Sequence, residues 1–403
     1  MSWSSTEFQN LFQVPSRNGV YKTKEYHGSG AKVINMGELF AYDRIGAQSM
    51  ERVQMSDQEL LKSSVKSGDL LFGRRSLVEE GAGRCALAHS VDEPTTFESS
   101  IIRVRLNADV ADPAFYFYYF RSPQGRALIR SIVSGATVKG IRGSDLQRLQ
   151  VAQPPLQVQL EISRKLAYFD DLIESNRKRI ELLEESAKLM YQEWFSRRRY
   201  PGNFANKSFD LPVGWSIRPL AELVLVNRAS LSTKDKPDGI QYVDIASVET
   251  GVVLGTKKMP YADAPGRARR LVQHGDVIWS CVRPNRRSYA LLWEPDDDVV
   301  VSTGFAVLTA SGIPFSYLYF ATTSEEFVAY LTNRATGAAY PAVSGKDFEE
   351  APLLCPSSEV LQSFDEKCLP ILELRSKLIL QNAHLTETRD ALLPKIMSGE
   401  LAN

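Results

Sequence analysis

The chain contains an internal repeat of about 200 residues, a period that is too long for a solenoid and indicates a duplicated domain. In the clearest match, Gly135–Leu146 aligns with Gly337–Phe348 without a gap. Shorter matches in the same order along both copies pair Trp3-Ser4 with Trp215-Ser216, Val33–Met36 with Tyr242–Ile245, Gly68–Phe72 with Gly275–Trp279, and Pro113, Tyr116 and Tyr118 with Pro314, Tyr317 and Tyr319. Matches that keep one order throughout indicate two copies of one domain rather than chance.

Both copies have the same order of predicted elements. Short β-branched or aromatic runs come first and are separated by Gly, Pro and Asp turns, a pattern typical of strands. The predicted strands include Asp69–Phe72, Ile101–Leu106, Asp276–Trp279 and Val299–Val301. A short helical stretch follows in each copy, around Phe115–Ile132 and Ser316–Thr332, and a long helix comes last. The predicted fold class is α+β, with two homologous β-rich domains that carry small helices.

Proline-containing segments mark the predicted domain boundaries, at Pro154-Pro155 and at Pro352 with Pro356. We predict a first β-rich domain over residues 1–156 and a central long helix over 157–200. A second β-rich domain is predicted over residues 201–356 and a C-terminal long helix over 357–403.

A heptad pattern runs through both predicted long helices, with inward positions that alternate in steps of four and three residues. The first seam is Ile162, Leu166, Phe169, Ile173, Asn176, Ile180, Leu183, Ala187, Met190 and Trp194. The second seam is Leu361, Phe364, Cys368, Ile371, Arg375, Leu378, Asn382, Leu385, Arg389, Leu392 and Ile396. The second is less regular, because it contains polar residues and because Pro370 predicts a kink or a late helix start. The spacing predicts a coiled coil.

The two seams predict a register if the helices pair antiparallel over their full length. The facing pairs then include Ile162 with Ile396, Trp194 with Phe364, and Asn176 with Asn382. Paired amides can satisfy each other's hydrogen bonds, so the two asparagines would fix the register. We expect Arg375 and Arg389 to extend their charged ends to solvent.

Composition and charge limit the classes of function. The 403 residues suffice for two hydrophobic cores, and 43% hydrophobic with 24% charged residues is typical of a folded protein. The formal net charge of zero means that a polyanion would have to be bound by local patches. Cys85, Cys281, Cys355 and Cys368 lack CxxC spacing, and no signal pattern or apolar run of transmembrane length is found. We therefore expect a cytoplasmic protein with no membrane partner.

Motifs for catalysis and cofactor binding are missing from the sequence. Glycine-rich pairs lack the spacing of a dinucleotide or Walker loop, and Pro154-Pro155 lacks the flanking residues of an adenine methyltransferase motif. Pro237-Asp238 and Pro295-Asp296 have no suitably spaced nuclease partner, and the four histidines lack metal-ligand spacing. The sequence predicts neither catalytic residues nor a metal site.

Basic and polar side chains lie in turns at corresponding places in the two copies. Arg and Asn have forked donors and acceptors that can read guanine and adenine edges, and glycine lets a loop approach a duplex closely. The candidate DNA-binding residues are Arg74, Arg75, Lys139 and Arg142 in the first copy, and Arg283, Asn285, Arg286, Arg287, Tyr340 and Lys346 in the second. For each single residue a solvated surface charge is an equal alternative. Arg197–Arg199 and Arg267, Arg269 and Arg270 are interpreted as phosphate contacts or solvated charges.

This arrangement resembles the specificity subunits of Type I restriction–modification systems over essentially the whole chain. The residues that carry the resemblance are Leu211–Trp215, Gly68-Asp69 and Gly275-Asp276, Gly135–Leu146, Pro154–Leu156 with Gln159, and the C-terminal run Arg389–Leu401. The sequence departs from the family pattern in two places: the first copy lacks Leu-Pro-x-Gly before Trp3, and Pro370 interrupts the second helix.

The resemblance implies a target-recognition domain in each copy, which reads one half of a bipartite, asymmetric site in double-stranded DNA. It implies that two long antiparallel coiled-coil helices separate these domains with pseudo-twofold symmetry. The helices would set the spacer between the half-sites and dock two modification subunits; about 38 helical residues correspond to roughly 57 Å. The modification subunits would bind S-adenosylmethionine and methylate adenine N6. Restriction subunits would use ATP and Mg2+ for translocation and cleavage, and this chain would bind no cofactor.

Two alternatives remain open on the residues alone. In one, the chain is a self-contained DNA methyltransferase or nuclease with an unfamiliar site, which labelling of the purified chain by S-adenosylmethionine would favour. In the other, it is a scaffold that binds only protein, which a comparison of random and cognate duplexes would test.

Overall fold

The computed structural model describes residues 3–203, 210–232, 234–235 and 237–400. Leu401, the last residue of the C-terminal run, lies outside this described part. The chain divides into two compact units: unit 1 consists of residues 1–175 and 382–403, and unit 2 consists of residues 176–381. Each unit therefore contains one β-rich copy of the repeat and segments of both long helices.

Unit 1 consists of short strands, short helices and the start of a long helix. Its strands are β1 (Ser5–Glu7), β2 (Phe12–Asn18), β3 (His27–Ile34), β4 (Arg44–Ile45), β5 (Arg52–Val53), β6 (Leu70–Gly73), β7 (Arg75–Ser76), β8 (Cys85–Ala88), β9 (Thr95–Phe97), β10 (Ile101–Leu106), β11 (Lys139–Gly140) and β12 (Gln150–Ala152). Its short helices are α1 (Met36–Ala41), α2 (Asp57–Ser63), α3 (Pro113–Arg121), α4 (Pro123–Ser131) and α5 (Gly143–Gln147). The long helix α6 (Leu156–Tyr191) begins directly after Pro154-Pro155, and a π-helical turn, Gln192–Ser196, follows it.

Unit 2 has a similar order of elements, with strands and 3-10 turns in the region that contains α1 and α2 in unit 1. Its strands are β13 (Ser216–Pro219), β14 (Val224–Val226), β15 (Gly239–Val243), β16 (Val248–Glu249), β17 (Val252–Val253), β18 (Lys257–Pro260), β19 (Ala268–Leu271), β20 (Val277–Ser280), β21 (Tyr289–Leu291), β22 (Val299–Ser302), β23 (Phe305–Ala310) and β24 (Pro352–Cys355). Its helices are α7 (Phe315–Thr322), α8 (Glu325–Arg334) and α9 (Gly345–Glu349), and the second long helix, α10 (Ser358–Met397), begins in this unit.

The sheets of the two units have corresponding topologies. The main sheet has the strand order β2-β10-β6-β8-β4 in unit 1 and β14-β23-β20-β21 in unit 2, so β6 and β20 are flanked by equivalent strands. A second sheet contains one parallel pair in each unit, β3 with β9 and β15 with β22. An edge strand pairs with the strand before each long helix, β1 with β12 and β13 with β24. These correspondences confirm the duplicated domain and the α+β class.

The helical stretch predicted after the strands is confirmed in both copies, and each stretch consists of two helices. Ser122 caps α4 by accepting a hydrogen bond from the amide of Gly125 (3.2 Å), and Pro123 occupies the first turn. Ser324 caps α8 in the same way through the amide of Phe327 (3.2 Å). A serine cap satisfies an amide that would otherwise lack a partner, and proline starts a helix readily, so the chain turns at these points.

The aspartates of the Gly-Asp pairs are buried structural residues. The Asp69 carboxylate accepts hydrogen bonds from the amide of Lys66 (2.7 Å) and from the Arg105 guanidinium (2.6 and 2.7 Å). Asp276 accepts from the amide of Gln273 (2.8 Å) and from the Thr309 hydroxyl (2.6 Å). Burial raises the pKa of Asp276. Each aspartate thus ties the turn before the central strand to the neighbouring strand, which explains why the pair recurs.

Buried tyrosines connect each sheet to the long helices. The hydroxyls of the matched residues Tyr116 and Tyr317 donate to the carbonyl oxygens of Ala152 (3.0 Å) and Leu354 (2.6 Å), in β12 and β24. The next matched tyrosines reach carboxylates on α6. Tyr118 donates to Asp170 (2.5 Å) within unit 1, and Tyr319 donates to Glu184 (2.6 Å) within unit 2.

The same carboxylates bind arginines of α10, which corrects the expectation that these arginines reach solvent. In unit 1, Arg389 donates to Asp170 (2.5 Å), and in unit 2, Arg375 donates to Glu184 (2.6 Å). Arg375 and Arg389 are only 3% and 7% exposed. Because burial removes water from these cations, each needs an anionic partner. In each unit that partner is the carboxylate one residue after the α6 seam residue that the predicted register places opposite the arginine. Each unit therefore contains a tyrosine–carboxylate–arginine cluster whose tyrosine and arginine are buried.

Contacts within each unit confirm the antiparallel seam. In unit 2, Trp194 packs on Phe364 with ring centroids 5.8 Å apart, as the register predicts, and Asn176 donates to the Gln381 side chain (3.1 Å). In unit 1, Asn382 donates to the carbonyl oxygen of Ile173 (3.3 Å). The pairing of Asn176 with Asn382 stays a prediction.

Pro370 does not delay the second long helix. α10 begins at Ser358, so the late start is wrong. Pro370 is exposed, and water can satisfy the carbonyl group that its missing N–H leaves without a partner.

The cluster in unit 1 makes a stability prediction. Asp170→Leu leaves a buried cation and a buried hydroxyl without their acceptor, so the free energy of unfolding should fall by about 3 kcal/mol in urea denaturation. The triple variant Asp170→Leu with Tyr118→Phe and Arg389→Met also removes the buried hydroxyl and the Arg389 cation and should recover most of the loss. Glu161→Leu is the control, because Glu161 is an exposed carboxylate of the same helix, so its loss should change the free energy of unfolding by at most about 0.5 kcal/mol. A triple variant as unstable as Asp170→Leu would contradict this account.

Candidate nucleic-acid interface

In unit 1, the segment after the central strand pairs with the glycine-rich loop before α5. β7 and β11 form an antiparallel ladder in which Gly140 lies opposite Arg75. The amide of Ile141 donates to the carbonyl oxygen of Arg74 (3.0 Å). The structure thus brings together the two loops that carry the first-copy candidates Arg74, Arg75, Lys139 and Arg142.

Unit 2 contains the same pairing of loops. Val282 forms a β-bridge with Ala342, and the amide of Val343 donates to the carbonyl oxygen of Cys281 (2.9 Å). Ala342 and Val343 are matched to Gly140 and Ile141 in the repeat, so these contacts correspond in the two units. The two loops in each unit, from the central strand and from the glycine-rich segment, are called the paired loops below.

Glycine is required at the start of each glycine-rich loop. Gly135 and Gly337 have φ angles of 107° and 109°, which side-chain-bearing residues rarely adopt. A Cβ atom on Gly135 would lie 2.1 Å from the carbonyl oxygen of Val138. The loop then closes through two hydrogen bonds between Ser134 and Gly140 in unit 1 (2.9 Å each), and between Thr336 and Ala342 in unit 2 (3.0 and 2.9 Å).

The unit 1 candidates differ in exposure. Arg75 and Arg142 are exposed, whereas Arg74 and Lys139 are half-buried. Arg142 lines an open pocket of about 470 Å3 together with Arg148, Asp145 and the serines Ser131 and Ser134. Two arginines and two hydroxyls around an open pocket are suited to an anionic ligand such as a phosphate group.

Sequence reasoning missed Arg148. It lies just after α5, outside the glycine-rich loop that directed attention to Arg142. In the alignment of the repeat, Arg148 corresponds to Glu350, so comparison of the two copies gives a reversal of charge rather than a shared basic residue.

Most of the unit 2 candidates interact with other groups in their own unit. The guanidinium of Arg283 lies 4.6 Å from the centre of the Tyr340 ring, and Arg287 binds Glu325 through both terminal nitrogens (2.6 and 2.5 Å). The hydrogen bond between Arg287 and Glu325 raises the pKa of the arginine and lowers that of the carboxyl. Lys346 lies 3.5 Å from Glu350. Asn285 and Arg286 are exposed.

The remaining arginine runs have partners as well. Arg197 and Arg199 form ion pairs with Glu193 on the preceding π-helical turn, and Arg198 donates to the carbonyl oxygen of Asp210 (2.9 Å). Arg267 and Arg269 donate to the hydroxyls of Tyr242 and Tyr261, and Arg270 lies 3.4 Å from the Ser230 hydroxyl. These contacts are those of local structural charges.

The described residues contain no group of three or more His, Cys, Asp or Glu side chains that could hold a metal ion. Gly28 and Gly30 lie inside β3, rather than in a turn between a strand and a helix where a dinucleotide would bind. A search of the described helices finds none that is both long and apolar enough to cross a membrane.

Several known proteins are similar to this chain in sequence or in structure. Residues 2–185 match the Type I restriction modification DNA specificity domain. The Type I restriction enzyme MjaIX specificity subunit of Methanocaldococcus jannaschii is 23% identical over 396 residues, which cover 94% of this chain and 89% of that protein. The EcoKI specificity subunit of Escherichia coli (strain K12) is 28% identical over 162 residues, which cover 39% of this chain and 34% of that protein. The crystal structure of a Type-I restriction-modification system S subunit from M. genitalium has a similar fold, with a TM-score of 0.59, 17% identity, and coverage of 98% of this chain and 96% of that chain.

The glycine at the start of the unit 1 loop can be tested directly. Gly135→Ala forces a Cβ onto the Val138 carbonyl and should distort the loop tip at a cost of about 1–3 kcal/mol. Residues 136–138 at the tip are exposed, so the core should stay folded while the affinity for DNA falls. Gly37→Ala in α1 is the control, since nothing lies near its added Cβ. Circular dichroism and duplex titration would measure both effects, and an unchanged affinity for DNA in Gly135→Ala would count against this loop.

Proposed function

We propose that the chain is a specificity subunit of a Type I restriction–modification system and that each of its units reads one half of a bipartite, asymmetric DNA site. Unit 1 would read one half through Arg75, Arg142 and their neighbours. Unit 2 would read the other half through the loops that carry Asn285 and Arg286. The chain would contribute recognition and no catalytic residue.

The paired loops are the observation that carries this proposal. Both units build them with the same backbone hydrogen bonds, from the Ile141 amide to Arg74 and from the Val343 amide to Cys281. The side chains on and next to these loops nevertheless differ: Arg142 on the loop and Arg148 just after α5 correspond to Ser344 and Glu350 in unit 2. A constant scaffold with different side chains is suited to two readers that recognise different sequences.

Local charge supports DNA as the ligand despite the neutral chain. Arg75, Arg142 and Arg148 are all exposed in unit 1, two of them at one pocket. Exposed arginines can bind phosphates or base edges without first breaking a buried ion pair. The binding energy would come from these patches rather than from a general basic field.

We further propose that the long helices set the spacer between the half-sites and dock two modification subunits. Leu182 and Leu189 are 65% and 53% exposed on α6, seven residues apart and therefore on one face of the helix. In unit 2, α10 also exposes Leu380. Apolar side chains repeated on a helix face are suited to a helical partner.

The cofactor chemistry would belong to those partners. Modification subunits would bind S-adenosylmethionine for adenine N6 methylation, and restriction subunits would bind ATP and Mg2+. The residues of this chain would hold the DNA in register for that chemistry by binding its bases and phosphates.

Exchange of one unit's β-rich domain tests the proposal. Replacing residues 1–156 by the corresponding domain of a family member with a known site should change one half of the methylated sequence and leave the other half unchanged. Sequencing of methylated adenines in host DNA would measure this, with an exchange of residues 211–356 as the reciprocal control. If both halves changed together in either exchange, independent reading by the two units would be ruled out.

A further inference from the structure

The turn after β20 in unit 2 has an unusual backbone. Arg283 (φ 52°, ψ 62°) and Arg287 (φ 57°, ψ 38°) both adopt the left-handed conformation, and Pro284–Arg286 forms a 3-10 turn between them. Side chains disfavour this conformation because Cβ crowds the following carbonyl oxygen. Two such residues four positions apart require surrounding contacts that hold them, and such strain is concentrated at functional sites.

Backbone hydrogen bonds hold the turn in place. The amide of Arg283 donates to the carbonyl oxygen of Pro341 in the glycine-rich loop (2.7 Å). Within the turn, the amide of Arg286 donates to Arg283 (2.8 Å) and that of Arg287 donates to Pro284 (3.0 Å). Pro284 is buried and fixes its own φ angle. The turn is therefore preformed.

The two left-handed arginines use their side chains to fasten the ends of the turn. Arg283 stacks on Tyr340 and donates to the carbonyl oxygen of Ala339 (3.1 Å). Arg287 binds Glu325, which lies in the first turn of α8. Both cations are thus committed to contacts inside unit 2.

The residues between them are left for a ligand. Asn285 and Arg286 are exposed, and within the described ranges neither side chain has a hydrogen-bond or ion-pair partner. One arginine fork and one amide therefore project from a turn whose other polar side chains are occupied.

The corresponding turn of unit 1 has different chemistry. The corresponding loop of unit 1 lies between β6 and β8, is longer than the loop between β20 and β21, and forms its 3-10 turn at Glu79–Gly81, after Leu77 and Val78. Leu77 and Val78 are 82% and 58% exposed. The side chains of Leu77, Val78 and Glu79 have no hydrogen-bond donor. The hydrogen-bond donors at this turn are therefore specific to unit 2 and are not a feature that both copies of the domain share.

We propose that the Arg283–Arg287 turn is the base-reading element of unit 2: Asn285 and Arg286 contact purine edges in the major groove, and Arg283 and Arg287 are positioning residues. The inference rests on the proposed function and adds the class of base recognised. Arginine matches O6 and N7 of guanine, and asparagine matches N6 and N7 of adenine. A preformed turn loses little conformational entropy on binding, which favours specific recognition.

The reading role is tested with the chain assembled with its modification subunits and with the duplex found by methylation sequencing. Arg286→Ala should weaken cognate binding roughly 5- to 150-fold and leave binding to random duplex nearly unchanged. Replacing a single purine of the half-site by its 7-deaza analogue should cause a similar loss in the unaltered protein and no further loss in Arg286→Ala. Arg218→Ala on β13 is the control, because Arg218 is an exposed arginine of the same unit.

The positioning role is tested by Glu325→Ala. If Arg287 positions the turn, Glu325→Ala and Arg287→Ala should each lower cognate affinity, the double variant should be no worse than either, and the salt dependence should keep its slope. If Arg287 instead binds phosphate, Glu325→Ala frees that cation and strengthens binding, while Arg287→Ala lowers the slope by about one. That second pattern would overturn the positioning role.

The failure of this inference can be distinguished from failure of the proposed function. Suppose that Arg286→Ala loses the same affinity for cognate and for random duplex, and that the domain exchange still changes one half-site. This combination would reject the turn as a base reader but would leave unit 2 as a reader of its half-site. An exchange of residues 211–356 that leaves the methylated sequence unchanged would reject the proposed function itself.

Discussion

A carboxylate on α6 that binds both a buried tyrosine hydroxyl and a buried arginine is the interaction on which each unit depends. Asp170 does this for Tyr118 and Arg389 in unit 1, and Glu184 does it for Tyr319 and Arg375 in unit 2. The tyrosine belongs to a helix that packs on the main sheet, and the other two groups belong to α6 and α10. One carboxylate therefore links the sheet layer to both long helices. Because a buried cation without its partner is strongly unfavourable, each cluster permits few alternative registers of the helices in its unit.

This fixed layer explains how the loops can vary. The aspartates at the start of β6 and β20 and the capped turns before α4 and α8 hold the sheet and helices in the same arrangement in both units. The paired loops are held to that arrangement by the same hydrogen bonds but carry different exposed side chains, Arg75 and Arg142 in one unit and Asn285 and Arg286 in the other. Changes at these exposed positions disturb little packing, so recognition can change while the fold stays the same.

The sequence predicts the features that depend on pattern, and it misses those that depend on partners. The repeat, the strands β6 and β20 and the contact of Trp194 with Phe364 follow from periodicity and alignment. The burial of Arg375 and Arg389 does not follow from the pattern, because heptad spacing gives no information about carboxylates on α6 that lie next to the seam residues. Nor does spacing reveal that Arg283 and Arg287 are committed to Tyr340 and Glu325, since those partners lie far away in sequence. Sequence reasoning overlooked Arg148 for the same reason, since only the folded structure shows that Arg148 and Arg142 line one pocket.

Site-specific cross-linking tests most directly whether the paired loops face DNA. Thr137 and Ala339 are matched, exposed residues at the tips of the two glycine-rich loops, and each can be replaced by a photoreactive amino acid in the chain assembled with its modification subunits. Leu61 on α2, which is also exposed, provides the control. The account predicts that position 137 cross-links to one half of the methylated site, position 339 to the other half, and position 61 to neither. Cross-links from both tips to the same half-site, or none from either tip, would contradict it.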